Sequence, residues 1–232
     1  MKKKYLLSMI VFFIISFSST VFAEDTISPE KSKEIIEKIY TRIAPMFKKY
    51  QGIEYKRTEI TKEYNPSSNK LLSTTTTLLL RREYFYQKPS ITVLEYEKDG
   101  KKLKPSDYEE ARYPPLYHPF DEKGKDRYTT EVKGYETIEG IVCYKIKVTP
   151  KEATERHFKG YFYFDAKNLD LIKAGFTLGK LPFGFIKLFI EASFSHSIVR
   201  EVAKTGRFYI PFIFNKKFVH ISKTITAKPI LY

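Results

Sequence analysis

The side chains that most often carry catalysis or bind metals are sparse in this sequence and form no recognisable site. The chain of 232 residues has four histidines and one cysteine. No histidine pairs with Cys, Asp or Glu at the spacing of a metal site. A G-x-S-x-G nucleophile motif, a glycine-rich phosphate-binding loop and an H-E-x-x-H zinc motif are all absent. The sequence therefore predicts no catalytic residue, no metal and no cofactor. The histidines are His118, His157, His196 and His220.

Two aspartates and the cysteine complete the set of residues that could do chemistry. Asp165 and Asp170 flank a predicted hairpin turn, and because Asp is common in turns we interpret both as structural. Cys143 has no second cysteine with which to form an internal disulfide. It stands in an apolar segment, residues 141–144, which predicts a small buried side chain and not a reactive thiol.

The N-terminus has the features of a secretory signal peptide. Three lysines at positions 2–4 precede an apolar run over residues 5–17, and a small-residue cleavage site ends at Ala23. The run is shorter than the about 20 residues that a membrane-spanning helix needs. We therefore predict that residues 1–23 are a cleaved signal peptide and that the protein is exported to an extracytoplasmic compartment. An uncleaved N-terminal anchor is the alternative.

The rest of the chain, residues 24–232, has the length of one domain with a full hydrophobic core. It carries 38 basic and 27 acidic residues, a net charge of +11. Such a charge favours anionic partners such as lipid headgroups or acidic polysaccharide, although it also serves solubility. No nucleic-acid-binding motif is present, and the predicted compartment is wrong for one. We therefore predict no nucleic-acid partner.

One amphipathic helix is predicted at the start of this domain. Ser28 can cap it, Pro29 suits its first position, and apolar residues recur at spacings of three and four. Pro45 should kink the last turn or end the helix early. The apolar stripe comprises Ile35, Ile36, Ile39, Tyr40, Ile43, Met46, Phe47 and Tyr50.

From residue 53 onward the pattern is strand and turn, with about ten strands at short spacing. Gly134 is predicted to separate a strand over residues 128–132 from one over 135–138, a later strand is predicted over residues 209–214, and a helical turn is predicted around residues 106–111. Asp99-Gly100 marks a tight hairpin turn. A Pro/Tyr-rich loop over residues 104–124 interrupts the strands and has a short helical turn predicted within it. The strongly apolar segment 183–194 is interpreted as a core strand, with a membrane-contacting edge or a partner patch as alternatives.

These elements predict a mainly β fold with one helix. An antiparallel sheet of this length curls strongly, because strand twist accumulates. We expect an incomplete half-barrel wrapped around the N-terminal helix, with a lipid-sized apolar cavity between them. The high aromatic content, 19 Phe and 18 Tyr, suits the walls of such a cavity as well as a large core. From strand alternation the candidate ligand-binding residues are Tyr144, Ile146, Val148, Phe162, Phe164, Leu188, Ile190 and Phe194.

Several stretches of this sequence resemble the bacterial outer-membrane lipoprotein carrier and lipoprotein-sorting proteins, the LolA-like superfamily. They are residues 144–151, 160–165, 171–174 and 206–211. The resemblance implies that residues 24–232 form a single LolA-like half-barrel domain. It also implies an arginine that gates the cavity, and Arg57, Arg81 and Arg82 all fit that role.

The resemblance implies a periplasmic carrier that holds the acyl chains of a lipid or lipoprotein without covalent chemistry. Its partners would be a lipid or acylated lipoprotein, anionic headgroups at the rim, and membrane-associated proteins. A second hypothesis is an extracytoplasmic sensor or interaction module of the same fold that binds a protein at a sheet edge. A third is a glycan hydrolase, which would need two carboxylates about 5 to 9.5 Å apart across one cleft. We expect a binding protein and not an enzyme.

Overall fold

The computed structural model describes residues 27–85, 87–108, 116–195, 198–210 and 214–231. The predicted signal peptide, residues 1–23, lies outside these ranges. No helix within them is long and apolar enough to cross a membrane.

The predicted N-terminal helix is confirmed as α1, Pro29–Lys49. The Ser28 hydroxyl accepts a hydrogen bond from the Lys31 N–H at 3.2 Å, which caps the first turn. Pro45 lies inside the helix, which continues to Lys49, so this proline does not end it early. The residues of α1 buried on one face are Ile35, Ile36, Ile39, Tyr40, Ile43 and Phe47.

The described chain forms one antiparallel sheet of eleven strands, in the order β4-β3-β2-β1-β11-β10-β9-β8-β7-β6-β5. The chain therefore makes two meanders, β1 to β4 and β5 to β11, which are joined where the last strand pairs with the first. The strands are β1 Tyr50–Tyr64, β2 Leu71–Tyr84, β3 Ser90–Lys98, β4 Lys101–Leu103, β5 Tyr128–Ile138, β6 Ile141–Pro150, β7 Phe158–Asp165, β8 Leu171–Leu178, β9 Phe185–Ser195, β10 Ile198–Ile210 and β11 Phe214–Leu231.

Two predictions about the strands need correction. Gly134 was expected to divide residues 128–138 into two strands, but β5 is continuous. Gly134 has a φ of 117°, and the register shift between Val132 and Tyr135 takes up the irregularity as a bulge. The single strand predicted over residues 209–214 is wrong, because Ile210 ends β10 and Phe214 begins β11. β10 itself begins at Ile198, and its polar middle gives a weak strand signal.

The hairpin turn predicted at Asp99-Gly100 is present in the structure. Asp99 and Gly100 both have positive φ, 52° and 78°, which is the geometry of a tight hairpin turn. The Pro/Tyr-rich loop contains a 3₁₀ turn at Pro105–Asp107 and a short helix α2, Gly124–Arg127. Part of the predicted helical turn falls on residues 109–111, outside the described residues.

α1 lies against one face of the sheet, which we call the concave face. The end of the Pro/Tyr-rich loop fills the space between them, because Phe120 is fully buried. The Phe120 ring lies 5.7 Å from the Tyr40 ring of α1 and 5.0 Å from the Phe164 ring of β7. The Tyr40 hydroxyl donates to the Pro119 carbonyl at 2.9 Å, so helix, loop and sheet form one core.

Candidate functional site

The concave face can be followed strand by strand, because directly paired residues on neighbouring strands point to the same side of a sheet. One row of paired residues crosses nine strands, from β5 to β2. The row is Val132, Ile146, Phe162, Ala174, Ala192, Val202, Ser222, Glu59 and Thr77. It is apolar on β5 to β10 and polar on β11, β1 and β2.

A second row changes character at a similar point. Its apolar part runs through Val148, Phe176 and Ile190, and its polar part begins at Lys204 on β10. His220, Thr61 and Thr75 continue it on β11, β1 and β2. The concave face is thus one continuous surface that is apolar on β5 to β9 and mainly polar on β10, β11, β1 and β2, and we call these regions the apolar half and the polar half. The polar half also contains apolar residues, among them Val202, Tyr55 and Leu79.

The structure places all eight predicted ligand-binding residues on the apolar half. Six are buried in the same hydrophobic cluster as the α1 stripe, and Tyr144 and Phe194 pack against it partly buried. They are therefore packed against protein in this structure. The Phe162 ring, for example, lies 5.6 Å from Phe120 and 5.9 Å from Phe176. Their role in ligand binding stays a prediction.

Polar contacts and ion pairs hold α1 over the apolar half. The Ser32 hydroxyl accepts a hydrogen bond from the Val132 N–H at 3.1 Å, which ties the helix to the edge strand β5. Arg42 donates to Asp170 at 2.6 Å and so ties the helix to the β7–β8 turn. Beside the first of these contacts a cleft of about 430 Å³ lies between α1 and β5. It gives solvent a route towards the edge of the helix–sheet interface.

Among the described residues, the polar half contains two buried polar groups that have no hydrogen-bond partner. Arg57 is 7 % exposed and its Nε has no hydrogen-bond partner, although the guanidinium lies 4.2 Å from the centre of the Tyr55 ring. The Thr224 hydroxyl is also buried without a partner. These two residues pair directly across β1 and β11, so the two unpaired polar groups share one place on the concave face.

The electrostatics of the polar half reflect several positive groups at close quarters. Burial lowers the pKa of Lys204, and repulsion from Arg81 is the second-largest cause of the same shift. Burial lowers the pKa of His220 to about 3, and repulsion from Lys204 is the second-largest cause. His220 is therefore neutral at neutral pH, and its Nδ1 lies 2.9 Å from the Thr61 hydroxyl.

The three arginines considered from the sequence are separated by the structure. Arg57 and Arg81 lie on the concave face, since Arg57 pairs with Leu79 and Tyr55 with Arg81 along β1 and β2. Arg82 follows Arg81 and so points to the convex face, where its Nε lies 2.6 Å from Glu54. Lys228 also contacts Glu54, at 2.9 Å. Arg82 and Lys228 are thus ion-paired on the convex face, whereas Arg57 and Lys204 have no ion pair within the described ranges.

The carboxylates of the polar half show no arrangement for metal binding. Glu59 is 8 % exposed and accepts a hydrogen bond from the Ser222 hydroxyl at 3.4 Å. Glu83 pairs with Arg81, and Glu63 with Lys216. The part of the chain that the structure describes contains no group of three His, Cys, Asp or Glu side chains suited to a metal ion.

Sequence reasoning found the apolar half and missed the polar half. The apolar residues stood out because aromatic and branched side chains alternate clearly along β6 and β7. The polar half could not be predicted because β1 and β10 carry charged residues on both faces, and charged residues normally indicate a solvated face. Only the register shows that Lys204 faces the same side as Ile190.

The predicted structural roles of Asp165, Asp170 and Cys143 agree with the structure. The Asp165 carboxylate accepts a hydrogen bond from the Lys167 N–H at 2.7 Å within the β7–β8 turn. Cys143 is a free, fully buried cysteine, and burial raises the pKa of its thiol.

The chain matches no protein-family model and no curated protein sequence. Among solved structures, it is similar to a LolA superfamily protein from Nitrosomonas europaea, with a TM-score of 0.42 and 11% identity over 85% of this chain and 92% of that one. A DUF1329 family protein from Desulfovibrio piger gives a TM-score of 0.40 and 12% identity, over 85% and 92% of the two chains. A domain described as outer membrane lipoprotein-sorting, from Vibrio parahaemolyticus, gives 0.39 and 11%, over 86% and 92%. The family named from the sequence is thus among these structural neighbours, at low similarity.

Proposed function

We propose that this protein is an extracytoplasmic carrier that binds an amphiphile, a lipid or an acylated lipoprotein, on its concave face. The observation that carries the proposal is the change from apolar to polar along single rows of paired residues. An acyl chain is stabilised by about 0.8 kcal/mol for each methylene that leaves water, and the apolar half offers such a surface. The polar half would receive the other end of the same molecule.

Ligand entry on this proposal requires α1 to move. The predicted cavity residues are packed beneath the helix, so an acyl chain would have to replace contacts that α1 now makes. The polar contacts of α1 are single hydrogen bonds at Ser32 and Tyr40 and largely exposed ion pairs at Glu37, Arg42 and Lys48, each of which contributes only a modest net free energy. Most of the free energy of opening is therefore the exposure of the apolar stripe. The helix would thus act as a lid, with the sheet as the fixed part of the site. The proposal assigns binding alone and no bond-breaking step.

The test is native mass spectrometry with lipid extraction on protein purified from expressing bacteria, followed by uptake of a fluorescent fatty acid. We expect a bound lipid or acylated species and saturable uptake. A protein that is free of lipid and takes up no probe would overturn the carrier proposal. If it then retained one protein partner at fixed stoichiometry, the interaction-module hypothesis would replace it.

Replacing core residues would not be informative, because Ile146 and Phe162 are so deeply buried that a charge there would unfold the domain. A reversible disulfide between α1 and the sheet gives a better test than such a substitution, because it prevents the helix from moving without adding a buried charge. Ser32→Cys with Val132→Cys would place two thiols on residues already in contact, since the Ser32 Oγ lies 3.1 Å from the Val132 backbone N. We expect the oxidised variant to lose uptake and the reduced variant to regain it. Each oxidation state serves as the control for the other, and equal uptake in both would exclude a moving α1.

A further inference from the structure

We propose that Arg57, Thr224 and Lys204 form a binding site for a phosphate group on the polar half of the concave face. This inference rests on the proposed function, since it names the chemistry of the ligand's polar end. It starts from the two buried polar groups that lack hydrogen-bond partners, the Arg57 Nε–H and the Thr224 hydroxyl. Both are donors available to an oxyanion.

Their positions make one site of these groups. Arg57 and Thr224 are direct partners on β1 and β11, and both face the side on which Glu59 and Ser222 form the next pair. The Tyr55 ring lies 4.2 Å from the Arg57 guanidinium and so helps to hold it in place. An oxyanion beside this pair would satisfy both donors at once.

Lys204 supplies a third donor from a different direction. It lies on β10 opposite His220, so the Ser222–Glu59 row separates it from Arg57 and Thr224, and its long side chain would have to reach across that row. It has no ion pair within the described ranges. Burial is the largest cause of the lowered pKa of Lys204, and repulsion from Arg81 and Arg57 lowers this pKa further. Donors from three neighbouring strands suit a tetrahedral phosphate better than a planar carboxylate.

The charge balance leaves room for an anion. Arg57, Arg81 and Lys204 stand against two carboxylates, Glu59 and Glu83, and Glu83 is already paired with Arg81. Glu59 lies between Arg57 and Thr61 on the same face and is hydrogen-bonded to Ser222. It weakens the positive potential but leaves one cation in excess. A buried cation without a full set of partners destabilises a fold, which a bound anion would relieve.

The test compares two amphiphiles with the same acyl chain, lysophosphatidic acid and the uncharged monoacylglycerol. We expect the wild-type protein to bind the phosphorylated compound about ten-fold more tightly or better, because charge-assisted hydrogen bonds are strong. Arg57→Gln should lower the affinity for lysophosphatidic acid towards that for monoacylglycerol and so abolish the preference. Arg82→Gln is the matched control. It also removes one arginine charge from the neighbouring strand, but Arg82 points to the convex face, so this variant should change neither affinity.

Each outcome has a distinct meaning. Equal affinity for the two amphiphiles in the wild-type protein would overturn the phosphate site and leave the carrier proposal standing. Failure to bind either one would overturn the carrier proposal itself. Competition by millimolar inorganic phosphate would assign the site to free phosphate, whereas none would assign it to a headgroup. Thermal unfolding of Arg57→Gln excludes misfolding: a melting temperature equal to or above that of the wild type is expected, since an unpaired buried cation is removed.

Discussion

At the residue scale, the three described histidines share one property, because burial lowers the pKa of His118, His157 and His220. His118 accepts a hydrogen bond from the Phe120 N–H at 3.1 Å, and its ring lies 4.9 Å from that of Phe47. Burial lowers the pKa of His118 from 6.5 to about 4. The ring is thus part of the contact between α1 and the loop that ends in Phe120.

His118 should make the protein acid-sensitive. Between pH 6.5 and about 4 the unfolded state binds a proton at this site and the folded state does not, so acid favours unfolding. The contribution is fully present above pH 6.5 and is lost as the pH falls to about 4, with a total of at most about 3 kcal/mol. The measurement is denaturant unfolding at pH 7 and pH 4.5 for the wild type and for His118→Asn.

Asn at position 118 keeps an acceptor for the Phe120 N–H but does not titrate. The pKa values of His157 and His220 are also lowered, and both residues remain in the variant. The difference between the two proteins therefore isolates His118. We expect a shallower fall in stability with acid for the variant, and identical pH profiles would contradict this account.

Residue-level patterns in the sequence predicted the caps, turns and aromatic core well. Ser28, Asp99 and Asp165 act through local backbone geometry, which sequence spacing encodes directly. The Arg57–Thr224 pair could not be predicted in this way. Its residues are 167 positions apart and meet only through the register of β1 and β11.

At the element scale, the two roles given to α1 place opposite demands on the free energy of its attachment to the sheet. Its stripe completes the hydrophobic cluster, and a lid must also leave that cluster. Ile39 is fully buried at the middle of the stripe, whereas Lys38 beside it is exposed and only forms an ion pair with Glu34. The two neighbouring positions therefore separate the apolar contribution from the electrostatic one.

Ile39→Ala should weaken the attachment of α1 by about 2 to 5 kcal/mol, the usual cost of such a cavity. Amide hydrogen exchange checks this, since local opening of α1 would be seen apart from the sheet. We expect protection of the α1 amides to fall more than that of the β1 and β11 amides. The control Lys38→Ala should lower it by about 0.5 kcal/mol or less. Equal loss in helix and sheet would show that α1 does not open separately.

At the scale of the whole molecule, the last strand joins the two meanders into one sheet. β11 pairs on one side with β1 and on the other with β10, over almost their full lengths. Composition and spacing predicted a curved antiparallel sheet around a helix, but not this order. The sequence shows where strands are, whereas the pairing of first and last strands depends on contacts between residues far apart in the chain.

Deletion of residues 214–232 should therefore prevent folding of the whole domain and not only of its end. Without β11 the two meanders share no strand pairing, and β1 and β10 both present unpaired edges of 15 and 13 residues, which promote aggregation. Circular dichroism and gel filtration should show no cooperative unfolding and no monomer. Deletion of residues 230–232 removes only the last pairs with β1 and should keep the fold. Since β11 also carries Thr224 and His220, a folded monomer without it would contradict both the topology and the polar half of the site built on it.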